Sequence, residues 1–370
     1  VFFKTISLLK SKGHEVIPVS TKNKKNFSGE NPYFIDYPEF REIPLKHKIQ
    51  NIKSFFFNKE ASKKIEEAIL KEKPDIAHIH LMFSSFSVSI LPILKKYNIS
   101  ANKSLGQNFL INDSVVNKIV ESAEITKNDL VIEIGPGLGN LTEFLLEKAG
   151  KVIAIELDQR MLEILNDRFS LYDNFEIINE DVLKVNLNEL ISKNKNSEIK
   201  NAKIVANLPY YITTPIIMKL LEEKLDIETI TVMVQKEVAD RLIAIPGEKL
   251  SGAITYSVYY YATSENVTIV ENNSFIPEPE VDSEVIKLSI RKNPPVELLD
   301  EDQFFKTVKA SFMQRRKTLI NALVNGGILK SKQDAKKLFD DLNMNYNTRG
   351  ESLSIEMFAE ISNYIVNNKI

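Results

Sequence analysis

Beyond about residue 100, apolar residues recur in two alternating patterns. Short continuous apolar runs predict buried strands, and stretches with apolar residues three and four apart predict amphipathic helices. Strands and helices alternate with short turns, which is typical of a doubly wound, mainly parallel α/β sheet. The predicted helices are Ser114–Ala123, Leu141–Ala149, Arg160–Phe169 and Pro215–Glu223, and the predicted strands are Leu130–Ile134, Lys151–Glu156, Phe175–Asn179, Lys203–Ala206, Thr229–Gln235, Val267–Val270 and Ser283–Ser289.

The two ends of the chain follow other patterns. Pro294-Pro295 breaks the alternation, and residues 300–370 have helical periodicity. Residues 1–100 predict a partial α/β segment, with short strands at His14–Val19 and Pro74–His80. We therefore expect three parts, which are the partial segment at 1–100, a sheet domain at 101–292 and a smaller all-helical domain at 293–370.

The composition limits the chemistry. The chain has no cysteine, which excludes disulfides, thiolate zinc sites and cysteine nucleophiles. All four histidines, at positions 14, 47, 78 and 80, lie in the first hundred residues. Chemistry in residues 101–370 must therefore use carboxylates, amides, backbone groups, aromatic rings or a cofactor. His78 and His80 would share one face of a strand, but no carboxylate cluster is near them, so we predict no metal site.

The charge is unevenly distributed. Residues 1–100 carry 17 basic and 10 acidic residues, and residues 101–370 carry 31 and 40. The acidic part nevertheless contains a basic cluster on one predicted helical stretch, and phosphate contacts need such a local patch rather than a net charge. A solvated helix face is the alternative. The cluster consists of Lys306, Lys309, Arg315, Arg316 and Lys317.

No segment reaches the ~18 uninterrupted apolar residues of a membrane span, and no signal segment opens the chain. The sequence therefore predicts a cytoplasmic protein that does not associate with membranes. The chain starts at Val1 rather than methionine, so the true N-terminus is expected to lie upstream. Because residues 1–100 and 101–370 are unrelated modules, we leave open whether residues 1–100 are a natural part of the protein.

A glycine-rich turn follows the strand at Leu130–Ile134. It reads Glu133-Ile-Gly-Pro-Gly-Leu-Gly139, and its glycines at 135 and 137 allow a tight turn and a close approach to a ligand. Glu156 ends the next strand, 21 positions after Gly135, and that spacing suits a carboxylate that accepts hydrogen bonds from ribose hydroxyls. A plain tight turn is the alternative.

Two further residues refine the type of ligand. Asn140 stands where a dinucleotide fingerprint has a third small residue, so a ligand with a ribose but no pyrophosphate fits better. Asp181, with Val182 beside it, follows the third strand, where a carboxylate could accept from an adenine amino group. Carboxylates at successive strand ends are the arrangement of an S-adenosylmethionine site.

The segment Asn207-Leu-Pro-Tyr210 follows the strand Lys203–Ala206, at the edge where such sheets bind ligands. An adenine amine is a poor nucleophile because its lone pair is delocalised into the ring, so it needs acceptors for its hydrogens. Asn207 offers an amide oxygen, the Leu208-Pro209 turn a backbone carbonyl, and Tyr210 a face for stacking. These groups predict methylation of an adenine nitrogen without a general base, and a plain turn is the alternative.

Residues 101–370 contain seven sequence motifs, which are Lys103–Leu110, Glu133–Gly139, Ile155–Asp158, Asn207–Tyr210, Gln235–Val238, Phe275–Ser283 and Phe312–Thr318. Through these motifs the region resembles the small-subunit ribosomal RNA adenine dimethyltransferases. Two positions depart from the family pattern, because Leu105 replaces a more usual aromatic residue and Tyr211 stands where some members have asparagine.

The resemblance implies a Rossmann-like sheet, S-adenosylmethionine as cofactor, and dimethylation of the N6 amino groups of two adjacent adenines in a helix-loop of small-subunit (16S) rRNA. The immature small subunit would be the partner, and we expect a monomer. A target adenine would lie between Tyr210 and Phe275. Cofactor contacts would come from Asn108, Leu110, Gly135, Gly137, Glu156, Asp181, Val182 and Asn207.

Three alternatives remain at this point. One is a large-subunit rRNA adenine methyltransferase, and another is a non-catalytic rRNA-binding assembly factor that keeps the fold. Residues 1–100 resemble a truncated N-terminal part of a GT-B glycosyltransferase, so glycosyl transfer is the third. The lack of a second nucleotide-sugar domain argues against it.

Overall fold

This computed structural model describes residues 108–314 and 317–369, together with residues 13, 20, 21, 34, 35 and 71. The chain separates into two units, residues 1–100 and residues 101–370. In the first unit, Ser20–Thr21 and Phe34–Ile35 pair as parallel strands. Several predictions lie outside the described residues, namely the strands at 14–19 and 74–80, the pair His78 and His80, the glycosyltransferase resemblance that rests on them, and Arg315 and Arg316.

A seven-stranded sheet forms the centre of the second unit. The chain contributes β1 (Phe109–Leu110), β2 (Asp129–Ile134), β3 (Lys151–Glu156), β4 (Phe175–Asn179), β5 (Asn201–Asn207), β6 (Thr229–Gln235), β7 (Ala262–Val270), β8 (Phe275–Ile276) and β9 (Ser283–Ile290). The sheet order is β4-β3-β2-β5-β6-β9-β7, and the first five strands are parallel. Strand β9 is antiparallel to both neighbours, and β1 and β8 form a separate antiparallel pair.

Eleven α-helices accompany the strands among the described residues of this unit; some pack on the sheet and the last four form a separate helical part. The helices are α1 (Asp113–Ser122), α2 (Asn140–Lys148), α3 (Gln159–Phe169), α4 (Leu187–Asn194), α5 (Thr213–Glu222), α6 (Lys236–Ile243), α7 (Ala253–Tyr261), α8 (Glu301–Met313), α9 (Leu319–Asn325), α10 (Lys332–Asp341) and α11 (Ile355–Asn368). Strand β2 is buried at every position, and β3, β5 and β6 at nearly every one. Because side chains alternate between the faces of a strand, such burial requires packing on both sides of the sheet. Within the described ranges, no helix has the length and apolar character needed to cross a membrane.

A second core lies among the C-terminal helices. Its largest fully buried side chains are Tyr256, Phe304, Phe339 and Phe358. The Tyr256 hydroxyl donates to the carbonyl of Leu353 at 2.5 Å, which satisfies the one polar group of that buried ring. Helix α7 therefore packs its residues into this core and, through Val258, into the sheet core as well.

The structure extends the predicted elements and adds helices that were not predicted. Strands β3, β4 and β6 have the predicted bounds. Helix α7 was missed because its sequence, AITYSVYYY, is apolar nearly all round, as expected of a helix buried from both sides. Strand β7 begins at Ala262, five residues before the predicted start, because its first half is polar and lies at the exposed edge of the sheet.

Candidate functional site

A cavity opens at the carboxyl ends of the central parallel strands, which is where sheets of this type bind ligands. It includes residues without a predicted role, among them Phe109, Leu138 and Tyr211. Phe109 and Tyr211 are sequence neighbours of predicted site residues, and that position was the one sequence feature that could have indicated their place in the cavity. The predicted residues that line the cavity are Asn108, Leu110, Gly135, Gly137, Glu156, Asp181, Val182, Asn207, Leu208, Pro209 and Tyr210.

The glycine-rich turn between β2 and α2 forms the floor of the cavity. Gly135 has a φ of +68° and its N–H donates to the carbonyl of Ile155 at 3.0 Å. This left-handed backbone favours glycine. At Gly139, a Cβ atom would lie 2.6 Å from the ring of Phe169, so any larger residue would push α3 away from the turn. The glycines therefore fix both the path of the turn and its contact with α3.

Glu156 is held rigidly at the end of β3. Its carboxylate accepts from the N–H of Gly137 at 3.1 Å and from the N–H of Asp158 at 2.8 Å. The side chain is buried, and this burial raises the pKa of Glu156. Each carboxylate oxygen has two lone pairs, so both oxygens can still accept hydrogen bonds from a ligand such as a ribose.

Asp181 and Val182 follow the end of β4. One Asp181 carboxylate oxygen accepts from the N–H of Leu183 at 3.0 Å, which orients the side chain. Val182 is buried, belongs to the sheet core and, like Leu208, lines the cavity. The pair thus places a carboxylate next to an apolar wall, an arrangement that suits a flat heterocycle with an amino group.

The backbone of residues 108–110 passes over the turn, and we call this segment the strap. Its Phe109 ring lies 3.4 Å from the position a Cβ atom would take on Gly137. The Asn207 side-chain amide donates to the carbonyl of Asn108 at 3.4 Å, and that of Asn140 donates to the carbonyl of Leu110 at 2.7 Å. The strap therefore closes one side of the cavity.

The Asn207–Tyr210 turn leaves β5 and enters the short 3₁₀ helix Tyr210–Ile212. The carbonyl of Pro209 accepts from the N–H of Ile212 at 3.2 Å and the hydroxyl of Thr213 at 3.0 Å. Since the carbonyl of Pro209 is engaged in this way, the carbonyl of Leu208 is the candidate acceptor for a ligand amine.

The ring of Tyr210 faces this cavity with its hydroxyl anchored. The hydroxyl oxygen lies 2.7 Å from the hydroxyl oxygen of Ser283. Burial of the side chain raises the pKa of Tyr210, so the phenol stays neutral across the physiological range. A neutral ring with a fixed edge is suited to stack on a base.

The remaining predicted site residues lie elsewhere. Phe275 is 2 % exposed, pairs with Leu110 in the β1–β8 ladder, and does not line the cavity. Lys306 and Lys309 lie three residues apart on α8, so they share a face, and both are exposed. Lys317 is also exposed, in the segment between α8 and α9.

Glu133 is an additional carboxyl group in the wall of the cavity. It is fully buried, and among the described residues its Oε2 atom has no hydrogen-bond partner. Burial raises the pKa of Glu133 from 4.5 to about 8. The folded protein therefore holds this carboxyl protonated at neutral pH.

This burial predicts a pH-dependent cost to stability. Between pH 5 and about 7.5 the unfolded chain ionises Glu133 and the folded protein does not, so folding takes up a proton and wild-type stability falls as the pH rises. In Glu133→Gln that contribution is absent. We expect the wild type to lose roughly 1.4 kcal/mol per pH unit relative to the variant, measured by denaturant unfolding. A pH-independent difference would mean that Glu133 is ionised in the folded state.

Residues 98–366 match a family model described as "Ribosomal RNA adenine dimethylase". The chain is 49% identical over 278 residues to "Ribosomal RNA small subunit methyltransferase A" of Clostridioides difficile, which covers 75% of this chain and 95% of the relative. Identity to the protein of the same description from Bacillus pumilus is 50%, over 74% of this chain and 94% of that relative. The family match begins at residue 98 and lends no support to the glycosyltransferase resemblance of residues 1–100.

Solved structures share the fold. A dimethyladenosine transferase from Plasmodium falciparum superposes with a TM-score of 0.58 at 26% identity, over 71% of this chain and 98% of the other. The 23S rRNA methyltransferase ErmE superposes with a TM-score of 0.52 at 24% identity, over 69% and 98%, and at that identity shows the fold alone. These similarities confirm the predicted Rossmann-like sheet with C-terminal helices.

Proposed function

Because the chain belongs to the ribosomal RNA adenine dimethylase family, we propose that it dimethylates the N6 amino groups of two adjacent adenines in a helix-loop of small-subunit rRNA, with S-adenosylmethionine as cofactor. The observation that carries this proposal is the cavity itself. It joins the glycine-rich turn, Glu156 and Asp181 to the Asn207–Tyr210 turn at one edge of the sheet. This arrangement supports a nucleoside cofactor that would bind directly beside the target base.

The residues of the cavity fit the cofactor. Glu156 would accept hydrogen bonds from the ribose hydroxyls, and Asp181 would accept from the adenine amino group, with Val182 against the ring. The strap and the glycine-rich turn would enclose the rest. Bound there, S-adenosylmethionine would supply a methyl group carried on a positively charged sulfur.

The Asn207–Tyr210 turn would prepare the target amine. The amide oxygen of Asn207 and the carbonyl of Leu208 would accept the two N6 hydrogens, which favours a tetrahedral nitrogen and localises its lone pair. Tyr210 would stack on the base and fix its plane. The methylated nitrogen is positively charged and acidic, so it would release its proton to water without a general base. Residues 108–314 and 317–369 contain no histidine or cysteine that could otherwise act as one.

The target base has to leave its stack to reach this turn. Exposed Lys306, Lys309 and Lys317 are suited to contact the phosphates of the surrounding RNA. We infer that one copy of the chain suffices, because a single chain supplies every residue to which a cofactor or base contact is assigned here. We also infer a cytoplasmic location, because the bacterial relatives are named for the small ribosomal subunit, which bacteria assemble there.

The experiment that tests this function is transfer of labelled methyl groups from S-adenosylmethionine to purified ribosomal subunits that lack them. We expect label in small-subunit RNA, two methyl groups on each of two adenines, and none in large-subunit RNA. Label in large-subunit RNA alone would favour the large-subunit methyltransferase. Binding to immature small subunits with no transfer would favour the assembly factor.

Substitutions at Tyr210 separate its ring from its hydroxyl. Tyr210→Ala removes the stacking face, and a stacked base contributes about 1–3 kcal/mol, so kcat/KM for RNA should fall roughly 5- to 150-fold. Tyr210→Phe keeps the ring and loses only the contact with Ser283, so its kcat/KM should stay within about threefold of wild type. Equal losses in both variants would assign the role to the hydroxyl instead of the ring.

A further inference from the structure

We propose that Asn140 is a positioning residue for the cofactor cavity, which it keeps closed by tying the strap to the glycine-rich turn. The inference rests on the proposed function, since it concerns how the same cavity holds S-adenosylmethionine. Asn140 is the position at which the sequence departs from a dinucleotide fingerprint, where a small residue would stand. In the structure the Asn140 side chain makes two hydrogen bonds that a small apolar residue could not make.

Asn140 bridges two parts of the chain through both ends of its amide. Its Nδ2 atom donates to the carbonyl of Leu110 at 2.7 Å, and its Oδ1 atom accepts from Nη1 of Arg168 at 3.3 Å. Leu110 and Asn140 both line the cavity. A side chain that lacks either the donor or the acceptor cannot make this bridge.

Arg168 connects the glycine-rich turn to the start of α2 by hydrogen bonds. Its guanidinium donates to the carbonyl of Leu138, to Asn140, and to Oε2 of Glu143 at 3.2 Å. Its side chain is 18% exposed, so these contacts are largely shielded from water. The guanidinium therefore orients the Asn140 amide, with its oxygen toward Arg168 and its nitrogen toward the strap.

At its C-terminal end the strap is held by this bridge and by the next residue, Ile111, whose N–H donates to the carbonyl of Ser274 at 2.9 Å. At the other end, the bond from Asn207 to the carbonyl of Asn108 is long, at 3.4 Å. Strand β1 is only two residues and pairs with the equally short β8. Because the ladder is so short, the 2.7 Å bond from Asn140 is a substantial part of what fixes Leu110 over the turn.

The position of Asn140 at the N-terminus of α2 determines how the helix responds to a substitution there. It is the first residue of α2, after Gly139, which provides no side-chain cap. A carboxylate at this position would interact favourably with the helix N-terminus and with Arg168. The same carboxylate would face the carbonyl of Leu110 without a hydrogen to donate. Asn140→Asp therefore separates the stability of the fold from the closure of the cavity.

The test is calorimetric titration of the full chain with S-adenosylmethionine, together with thermal unfolding. We expect Asn140→Asp to weaken cofactor binding by about tenfold or more, while its Tm stays equal to or above that of the wild type. In methyl-transfer assays KM for the cofactor should rise by a similar factor, and kcat at saturating cofactor should stay within about threefold. Asn140→Ala should also weaken binding, which keeps the test valid if the aspartate variant does not fold.

Asn174→Asp is the matched control. The amide of Asn174 likewise donates to two backbone carbonyls, those of Leu146 and Ala149, but it does not line the cavity. This variant should lose Tm and keep cofactor affinity. If the wild type binds cofactor and Asn140→Asp binds it equally well, or loses affinity only alongside a loss of Tm like that of the control, the inference is overturned. Failure of the wild type to bind would instead remove the proposed function.

Discussion

Asn207→Ala should abolish methyl transfer and leave most of the cofactor affinity intact. The amide oxygen of Asn207 is the proposed acceptor that turns the adenine lone pair toward the methyl group, and this interaction matters only as the nitrogen becomes tetrahedral. Loss of one such preorganised group typically costs about 10²–10³ in kcat, and misorientation of the amine adds to it, so we expect a fall of roughly three orders of magnitude. Single-turnover transfer to small-subunit RNA measures this directly.

The matched control for this substitution is Asn201→Ala. Asn201 begins the same strand, β5, at the opposite edge of the sheet, where its amide donates to Asp129 at 3.3 Å. Its loss should lower stability slightly and leave methyl transfer unchanged. Asn207 also donates to the carbonyl of Asn108, at a long 3.4 Å, so only a small loss of cofactor affinity is expected. Full activity in Asn207→Ala would refute the assigned role.

Glu156→Ala should produce the largest loss of cofactor binding. Hydrogen bonds to a charged group contribute about 1.5–3 kcal/mol each, so losing two of them to the ribose corresponds to a weakening of roughly 10²–10⁴-fold in Kd. Burial raises the pKa of this carboxyl, which means that its ionised form lowers the stability of the folded chain. We therefore expect the variant to be as stable as the wild type while binding the cofactor poorly in calorimetric titration.

Glu176→Ala is the control for Glu156. Glu176 lies on the neighbouring strand β4 and forms an exposed ion pair with Lys151 at 2.7 Å. Exposed pairs contribute little, so both stability and cofactor affinity should be nearly unchanged. Retention of wild-type affinity in Glu156→Ala would show that the ribose is held by other groups.

Strands β2, β3, β5 and β6 could be predicted from the sequence because they are buried along nearly their whole length. A continuous apolar run such as Thr229–Gln235 predicts a buried strand. Helix α7 could not be found in this way, since packing from both sides removes the polar face on which periodicity depends. The first half of β7 has no apolar pattern because most of its side chains are exposed at the edge of the sheet.

The same distinction applies to the site. Residues at strand ends, such as Glu156 and Asp181, could be placed together because parallel strands bring their carboxyl ends to one edge. The contact of Asn140 with the strap joins residues 30 positions apart through a side-chain amide, and no local pattern reports it. Phe275 was expected beside Tyr210, and in this structure it is buried and pairs with Leu110 in the ladder of β1 and β8.

The most direct test of the central claim is to map the modified nucleotides by mass spectrometry after purified protein acts on small subunits that lack the methyl groups. The proposed function predicts N6,N6-dimethyladenine at two adjacent positions of one helix-loop in small-subunit RNA, dependent on S-adenosylmethionine and absent with Asn207→Ala. Methylation of a large-subunit adenine instead, or no methylation by protein that binds both cofactor and RNA, would contradict it.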